Sequence, residues 1–419
     1  MAPLTRHRIP GQLAAAAAVL ALLAGCSSGG GGATNGATDG DTSGDTSAAS
    51  APAAATPSAA TRKGFDPPST FASAQATPLA GVTWAGSVLL DGPTAYLTVQ
   101  GGIRAVDLTT GRTLGTADGE QPGTGDTAPV VAEVGGKRLV LAADVATVKG
   151  QGTAVDRTVV QLVAMDAASH QVAWSLSADL PQGFGTSKSP SVLGVRGTTA
   201  VIAAADTDHS ATVAVDLATR KALWTQNGFL GSALTDDQVV GLSAPDLVKR
   251  RLSGLKLTDG STAWTGDKDL FQVSVQPAGP NRVLVEGSDY GSAKGLTWFT
   301  DGTTGRLLLD IDSPLHLTCT YDERSVTVCA GEDSVFALDP ATGKVLWKLP
   351  DDAKTRVAPR VTAVWHGVVY GRTSNGPVSL DATTGQDRPG NPQLAPVLVD
   401  GYAGLADTNG GIAAYAATG

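Results

Sequence analysis

The sequence is poor in charge, in cysteine and in long apolar runs. Only 16% of its 419 residues are charged, three are cysteines, and 39 acidic residues face 30 basic ones. A nucleic-acid binder needs a concentrated basic face, and this sequence supplies none. After residue 26 no apolar stretch is long enough to cross a bilayer as a helix. The 52 glycines, with abundant Val, Ala and Thr, instead favour a β-rich fold with many turns.

Recognisable catalytic motifs are missing as well. The sequence shows no Ser/His/Asp spacing and no phosphate-binding loop. The stretch Asp206-Thr-Asp208-His209 could be imagined as a cation site, but a solvated hairpin tip is the interpretation we favour. The histidines beyond the amino-terminal segment are scattered widely along the chain, at His170, His209, His316 and His366. We therefore predict no catalytic, cofactor-binding or metal-binding residues.

The first 25 residues have the features of an export signal. Arg6 and Arg8 precede an Ala/Leu/Val run, Leu13 to Leu23, that is too short for a permanent membrane helix. The following Leu23-Ala24-Gly25-Cys26 resembles the lipobox of bacterial lipoproteins, which implies removal of residues 1–25 and acylation of Cys26. The alternative is an ordinary secretory signal. We predict a lipid-anchored, extracytoplasmic protein whose anchor consists of two or more acyl chains.

A compositionally biased segment follows the lipobox. Residues 26–76 consist mainly of Gly, Ser, Thr, Ala, Asp and Pro. Such a segment cannot bury enough apolar surface to offset the entropy lost on ordering, so we predict a disordered linker. The remaining residues, 77–419, are predicted to form one repeat domain.

Two cysteines are predicted to pair within this domain. Folding Leu317-Thr-Cys-Thr-Tyr-Asp-Glu-Arg-Ser-Val-Thr-Val-Cys329 as a hairpin about Arg324 places Cys319 opposite Cys329. Directly opposed residues lie about 4.5–5.5 Å apart, which a disulfide can bridge. The alternative is a pair of buried free thiols.

A strand–turn–strand phrase recurs through residues 77–419. Its fullest copy, Phe336-Ala-Leu-Asp-Pro-Ala-Thr-Gly-Lys-Val-Leu-Trp347, places a tryptophan eight residues after an aspartate. The turn aspartates are Asp107, Asp166, Asp216, Asp301, Asp339 and Asp381, with Lys256 in the equivalent place of one copy. The tryptophans are Trp174, Trp224, Trp264 and Trp347.

A period of about 40–50 residues with this content is typical of propeller blades. We predict an all-β fold, an eight-bladed β-propeller of four-stranded antiparallel blades, with seven blades as the alternative. The last copy ends at Gly419 without an outer strand, so an amino-terminal strand should complete it. We assign that strand to Pro78 through Trp84, with Trp84 in the position that Trp347 has in its own blade.

The repeated residues have structural explanations. The aspartate can cap its own turn, and a glycine such as Gly343 can adopt positive φ. The tryptophan can pack on the next blade while its N–H bonds a carbonyl group. We interpret the motif as blade docking, not as a ligand signature.

The set Ala-x-Asp-x-x-Thr-Gly-x-x-x-Trp, nearly whole at Ala337 to Trp347, resembles the tryptophan-docking motif of quinoprotein-type propellers with PQQ-like repeats. Among lipoproteins it resembles the BamB family, which implies an eight-bladed ring without a cofactor whose loops bind proteins. The resemblance implies a non-catalytic, monomeric scaffold or sensor that binds an envelope protein or cell-wall component. The alternative is a pyrroloquinoline-quinone dehydrogenase with calcium, although the adjacent cysteines and haem motif of such enzymes are missing.

Overall fold

The computed structural model describes residues 63–123, 125–185, 190–244, 248–292, 294–311, 316–408 and 410–419. The predicted signal peptide, Cys26 and the linker up to residue 62 lie outside the described residues. Within the described ranges no helix is long and apolar enough to cross a membrane.

The described residues form antiparallel strands and one 3₁₀ turn, Ala85–Ser87. In the first half of the chain the strands are β1 (Phe71–Pro78), β2 (Val88–Asp91), β3 (Thr94–Val99), β4 (Gly102–Asp107), β5 (Thr113–Asp118), β6 (Val130–Val134), β7 (Lys137–Val148), β8 (Arg157–Asp166), β9 (Gln171–Asp179), β10 (Ser191–Arg196), β11 (Thr199–Ala205), β12 (Ser210–Asp216), β13 (Lys221–Asn227), β14 (Phe229–Leu234), β15 (Gln238–Ser243), β16 (Arg251–Lys256) and β17 (Thr262–Thr265).

The second half continues the same pattern. Its strands are β18 (Leu270–Pro277), β19 (Arg282–Asp289), β20 (Gly295–Asp301), β21 (Leu307–Ile311), β22 (Thr318–Tyr321), β23 (Thr327–Ala330), β24 (Val335–Leu338), β25 (Val345–Leu349), β26 (Arg360–Trp365), β27 (Val368–Thr373), β28 (Gly376–Asp381), β29 (Leu398–Val399), β30 (Ala403–Thr408) and β31 (Gly411–Ala417).

These strands assemble into eight sheets within the described residues, which confirms the eight-bladed propeller. Blades I to VI each contain four consecutive strands, from β2–β5 through to β22–β25. Blade VII contains β26–β28, and blade VIII contains β29–β31 with β1 added on its outer edge. First strands of successive blades contact one another, from β6 and β10 through to β26 and β29, and therefore form the inner ring.

The middle strands are apolar because both of their faces are covered. In blade III, β11 and β12 are buried along almost their whole length, and their Ala, Val and Ile side chains suit tightly packed β structure. The outer strand β13 is largely exposed apart from Trp224, which is partly buried. Each blade thus depends on its neighbours to cover it.

Among the described residues the hydrophobic core forms eight buried clusters, and each one lies between two adjacent blades. The cluster between blades I and II contains Ile103 and Val163, for example, and the one between blades VI and VII contains Val328 and Leu380. The cluster between blades VIII and I, with Leu97 and Leu405, closes the ring. The core therefore consists of interfaces between adjacent blades that follow one another around the ring.

The strand that closes the ring differs from the predicted one. β1, Phe71–Pro78, pairs with β31 and places Thr77 opposite Ala414. In blade VI the equivalent pair is Ala337 and Trp347. Thr77 lies against Gly111 of the turn in blade I, so Thr77 occupies the docking position that we assigned to Trp84.

Two predictions are therefore wrong in detail. Trp84 is 59% exposed and precedes the 3₁₀ turn, because the chain leaves the sheet at Leu79 to cross towards the first strand of blade I. The linker prediction also extends too far, because β1 begins at Phe71, inside the predicted range 26–76. Phe71 is buried between blades VII and VIII, which supplies the apolar contact that the composition of the segment does not suggest.

Blade VII departs from the predicted four strands. After β28 only an isolated bridge between Leu380 and Asp387 and a hydrogen bond from Arg388 N–H to the Ser379 carbonyl (2.9 Å) occupy the outer position. Backbone groups two residues apart in a strand point to the same edge, so the backbone of Pro377 faces this edge as that of Ser379 does. Proline has no N–H group, and none is therefore left unpaired at that position. The sequence thus protects an edge that lacks a partner strand.

Candidate interaction surface

The turn aspartates cap their own turns. In blade VI the Oδ1 atom of Asp339 accepts hydrogen bonds from the N–H groups of Ala341 (2.8 Å) and Thr342 (3.1 Å), and Gly343 has a φ of 71°. These backbone donors lower the pKa of Asp339. Five other turn aspartates are capped in the same way, since each carboxylate accepts a hydrogen bond from the backbone N–H group two residues further along the chain. They are Asp107, Asp166, Asp216, Asp301 and Asp381.

Three of the predicted tryptophans dock on the following blade. In the next blade, the residue that follows the turn aspartate (or Lys256 in its place) accepts a hydrogen bond from the indole N–H through its carbonyl group. The indole ring also lies against the glycine of that same turn. The donor–acceptor pairs are Trp224 to Leu257 (2.9 Å), Trp264 to Gly302 (3.2 Å) and Trp347 to Ala382 (2.8 Å). The glycines are Gly260, Gly305 and Gly385. These residues hold neighbouring blades together.

Two turns use other residues in the glycine position. His170 and Arg220 have φ values of 55° and 58°, in the left-handed region that costs most residues energy. Arg220 lies over the ring of Trp174, with 5.9 Å between the guanidinium carbon and the ring centroid. This cation–π contact replaces the glycine contact made by the other docking tryptophans.

The predicted disulfide is present. Cys319 on β22 and Cys329 on β23 are directly opposed and bonded, with their Cα atoms 4.0 Å apart. Cys319 also receives structural support, since its N–H donates to Gln276 Oε1 of blade V at 3.1 Å. Both cysteines belong to the hydrophobic cluster between blades V and VI, so the disulfide lies within that interface.

The Asp206–His209 stretch forms the turn of the hairpin of β11 and β12, and the Asp206 side chain is only 9% exposed. Asp206 accepts hydrogen bonds from the N–H groups of Gly185 (2.5 Å), Asp208 (2.8 Å) and His209 (2.6 Å). Burial opposes ionisation of this carboxyl group, but these donors outweigh it and lower its pKa to about 2. Across the described residues no group of three or more His, Cys, Asp or Glu could hold a metal ion.

The ring has two chemically different faces. One side carries the turns that join strands one and two and strands three and four of each blade, and we call it the turn face. The opposite side carries the hairpins between strands two and three and the connectors between blades, and we call it the loop face. The long hairpin of β7 and β8 belongs to the loop face.

Residues 63–68, which we call the strap, lie on the turn face. They cross first turns of blades VI, VII and VIII before entering β1. Their contacts are the Phe65 N–H donating to the Gly401 carbonyl (2.7 Å), the Asp66 carboxylate pairing with Arg324, and the same carboxylate meeting His366 Nδ1 (2.5 Å). The hydrogen bond to His366, together with Arg324, lowers the pKa of Asp66. The chain therefore reaches the domain across its turn face.

Neither the strap nor the residues that it contacts are marked by a motif or a spacing in the sequence.

Exposed large apolar side chains distinguish the faces. Among the described residues they lie either on outer strands or on the loop face, and none lies on the turn face. The loop-face group comprises Trp84 (59% exposed), Val155 (75%), Val248 (57%), Tyr290 (44%) and Val357 (64%). Protein-binding surfaces are enriched in exposed aromatic and apolar residues, so the loop face is the candidate interaction surface.

Part of the chain is similar to a known protein family. Residues 250–413 match the family described as outer membrane protein assembly factor BamB. No curated protein sequence matches the chain.

Similar solved structures include BamB from Moraxella catarrhalis, which has a TM-score of 0.44 and 15% identity and covers 82% of this chain and 100% of that one. The Dos1 propeller has a TM-score of 0.43 and 12% identity and covers 78% of this chain and 76% of that one. Hydrazine synthase from Kuenenia stuttgartiensis has a TM-score of 0.40 and 11% identity and covers 73% of this chain and 98% of that one.

Proposed function

We propose that this chain is a lipid-anchored, extracytoplasmic scaffold that binds a partner protein on the loop face of its ring and does no chemistry itself. The observation that carries the proposal is the unequal distribution of exposed apolar side chains between the two faces. BamB-like propellers support a protein-binding role in general, and the lipobox at Leu23 to Cys26 supports the anchor.

The arrangement of the two faces suits a tethered scaffold. The strap reaches the domain across the turn face, where the turn carboxylates are already capped by backbone donors. The loop face lies on the opposite side, and its exposed side chains come from connectors and hairpins of several blades. A partner bound there would not compete with the strap for the same surface.

Site-specific photocrosslinking in intact cells tests the choice of face. A photoreactive residue is placed at Val155, Tyr290 or Val357 on the loop face, and at Thr109, Thr303 or Thr383 on the turn face as matched controls. We expect one shared adduct from the loop-face positions and none from the controls. Adducts only from the turn face, or none from either face, would contradict the proposal.

Two further measurements test the anchor and the lack of chemistry. Cys26→Ser should move the protein from the membrane fraction to the soluble fraction, and retention in the membrane would contradict lipid anchoring. Purified protein mixed with pyrroloquinoline quinone and calcium should show neither a bound chromophore nor dye reduction. Turnover above the rate of the free quinone would favour the dehydrogenase alternative.

A further inference from the structure

Trp84 presents its indole ring to solvent from a rigid support. It precedes the 3₁₀ turn Ala85–Ser87, where the Ser87 hydroxyl donates to the Trp84 carbonyl at 2.9 Å. The six-membered ring packs directly against Gly86, at a position where any Cβ atom would collide with it. A tryptophan that is already ordered loses little conformational entropy when a partner covers it, which is typical of interface hot spots.

This indole forms one side of an apolar depression of about 410 Å³. The depression is lined by Trp84, Val88, Ala128, Val397, Leu398 and Asp407. Val88 and Leu398 belong to the first strands of blades I and VIII, and Ala128 lies just before the first strand of blade II. The depression therefore lies beside the propeller axis at the loop face.

Buried polar side chains hold the connector that forms one wall. Gln161 is fully buried, and its side-chain amide accepts from the Gln121 N–H (3.0 Å) and donates to the Gln121 carbonyl (3.1 Å). Asp144 is 1% exposed and accepts from the Gly125 N–H. These contacts hold the connector before Ala128, so the depression is formed before any partner binds.

The charge at the depression is acidic. Asp407 is exposed and is the one charged residue among the described residues that line the depression, and exposed Asp126 precedes the lining residue Ala128 by two positions. The nearby cation Arg104 is already engaged, since it donates to the Ala80 carbonyl group at 2.6 Å. A basic segment would complement this sector, whereas an acidic one would be repelled.

We propose that this axial depression binds a partner-protein segment that carries an aromatic or large aliphatic side chain flanked by lysine or arginine. The apolar side chain packs against Trp84 and Leu398, and the flanking cations lie near Asp126 and Asp407. The inference rests on the proposed scaffold function and gives the chemistry of the segment that is recognised.

Peptide display on the immobilised, full-length mature protein tests the chemistry. The probe is a library of random 12-residue peptides, and enriched sequences are resynthesised with a fluorescent label for titration. We expect enrichment of Trp, Phe or Leu within three residues of Lys or Arg. Trp84→Ala should weaken binding of these peptides about tenfold or more, and Asp407→Asn combined with Asp126→Asn should weaken it and reduce its dependence on salt.

Val345→Ala on outer strand β25 is the matched control, since Val345 is also an exposed apolar residue. It should leave the affinity unchanged. Because the Trp84 side chain is exposed, Trp84→Ala should melt at the temperature of the parent protein, which separates lost binding from lost folding.

Several outcomes would overturn the inference. Enriched peptides that are acidic or neutral, or whose affinity does not depend on Trp84, would contradict it. A dimer detected by sedimentation and abolished by Trp84→Ala would assign the depression to a second copy of the chain. If the photocrosslinks at Val155, Tyr290 and Val357 persist in either case, the scaffold function stands and only this site is wrong.

Discussion

At the scale of single residues, the buried carboxylate of Asp144 makes stability depend on pH. Burial raises its pKa to about 6, with Asp126 adding to the effect and backbone donors Gly125 and Gly101 opposing it. A raised pKa means that the folded state holds the proton more tightly than the unfolded state. Stability from this group is therefore fully present below the unfolded pKa near 4 and is lost as pH rises through about 6.

The variant Asp144→Asn removes that pH dependence while keeping an acceptor for the Gly125 N–H. We expect it to stabilise the fold by about 1–3 kcal/mol at pH 7.5, with the gain shrinking towards pH 4. Thermal melts across that range measure the difference. Exposed Asp118→Asn controls for the change in net charge, and an equal gain in both variants at pH 7.5 would contradict the prediction.

Docking tryptophans and Trp84 should respond differently to the same substitution. Trp347→Phe removes the donor to the buried Ala382 carbonyl, and we expect a loss of about 1–3 kcal/mol in denaturant unfolding. Trp84→Phe should leave stability unchanged, since no neighbouring blade covers this side chain. A comparable loss in both variants would contradict the assignment of Trp84 to the surface.

At the scale of secondary-structure elements, the hairpin of β22 and β23 depends on its covalent link. Replacing both Cys319 and Cys329 with serine should reduce the free energy of unfolding by about 2–3 kcal/mol, because a cross-link restricts the unfolded chain. Urea titration measures the change. Maleimide labelling of the unreduced, unfolded parent protein is the control, and two reactive thiols there would show that the bond does not form.

The closing strand β1 is secured by one large side chain. Phe71 is 1% exposed and meets the ring of Tyr370 edge-on, with centroids 5.9 Å apart. Phe71→Ala should destabilise the protein by about 3–5 kcal/mol, as expected for a cavity in a packed core. Gln75→Ala on the exposed side of the same strand should change the melting temperature little. Equal melting temperatures for the two variants would argue against closure by β1.

At the scale of the whole molecule, stability depends on a closed circle of blade interfaces. A mature protein that lacks residues 63–78 exposes the edge of β31 and uncovers Val368 and Val399. We expect a sharply lower melting temperature and aggregation, because an open sheet edge pairs with other chains. A synthetic peptide of residues 63–78 should restore the melt, whereas the same peptide with Phe71→Ala should not.

Sequence patterns predicted the features that local chemistry controls. The Asp-capped turns and the Cys319–Cys329 pair each depend on residues close together in the chain, so their spacing was sufficient to find them. The spacing of the repeat also predicted the eight blades. By contrast, Asp144 and Gln161 lie in an ordinary-looking strand pair, and their burial depends on a connector that only the ring brings over them.

The choice of closing strand and the role of Trp84 required the tertiary structure. A tryptophan at the end of a strand-like segment matched the docking motif, but β31 pairs with residues 71–78, and Thr77 takes the docking place. The two faces could not be assigned from the sequence either. Which side chains stay exposed depends on how blade edges meet around the axis, and contacts between residues hundreds of positions apart leave no periodic trace in the chain.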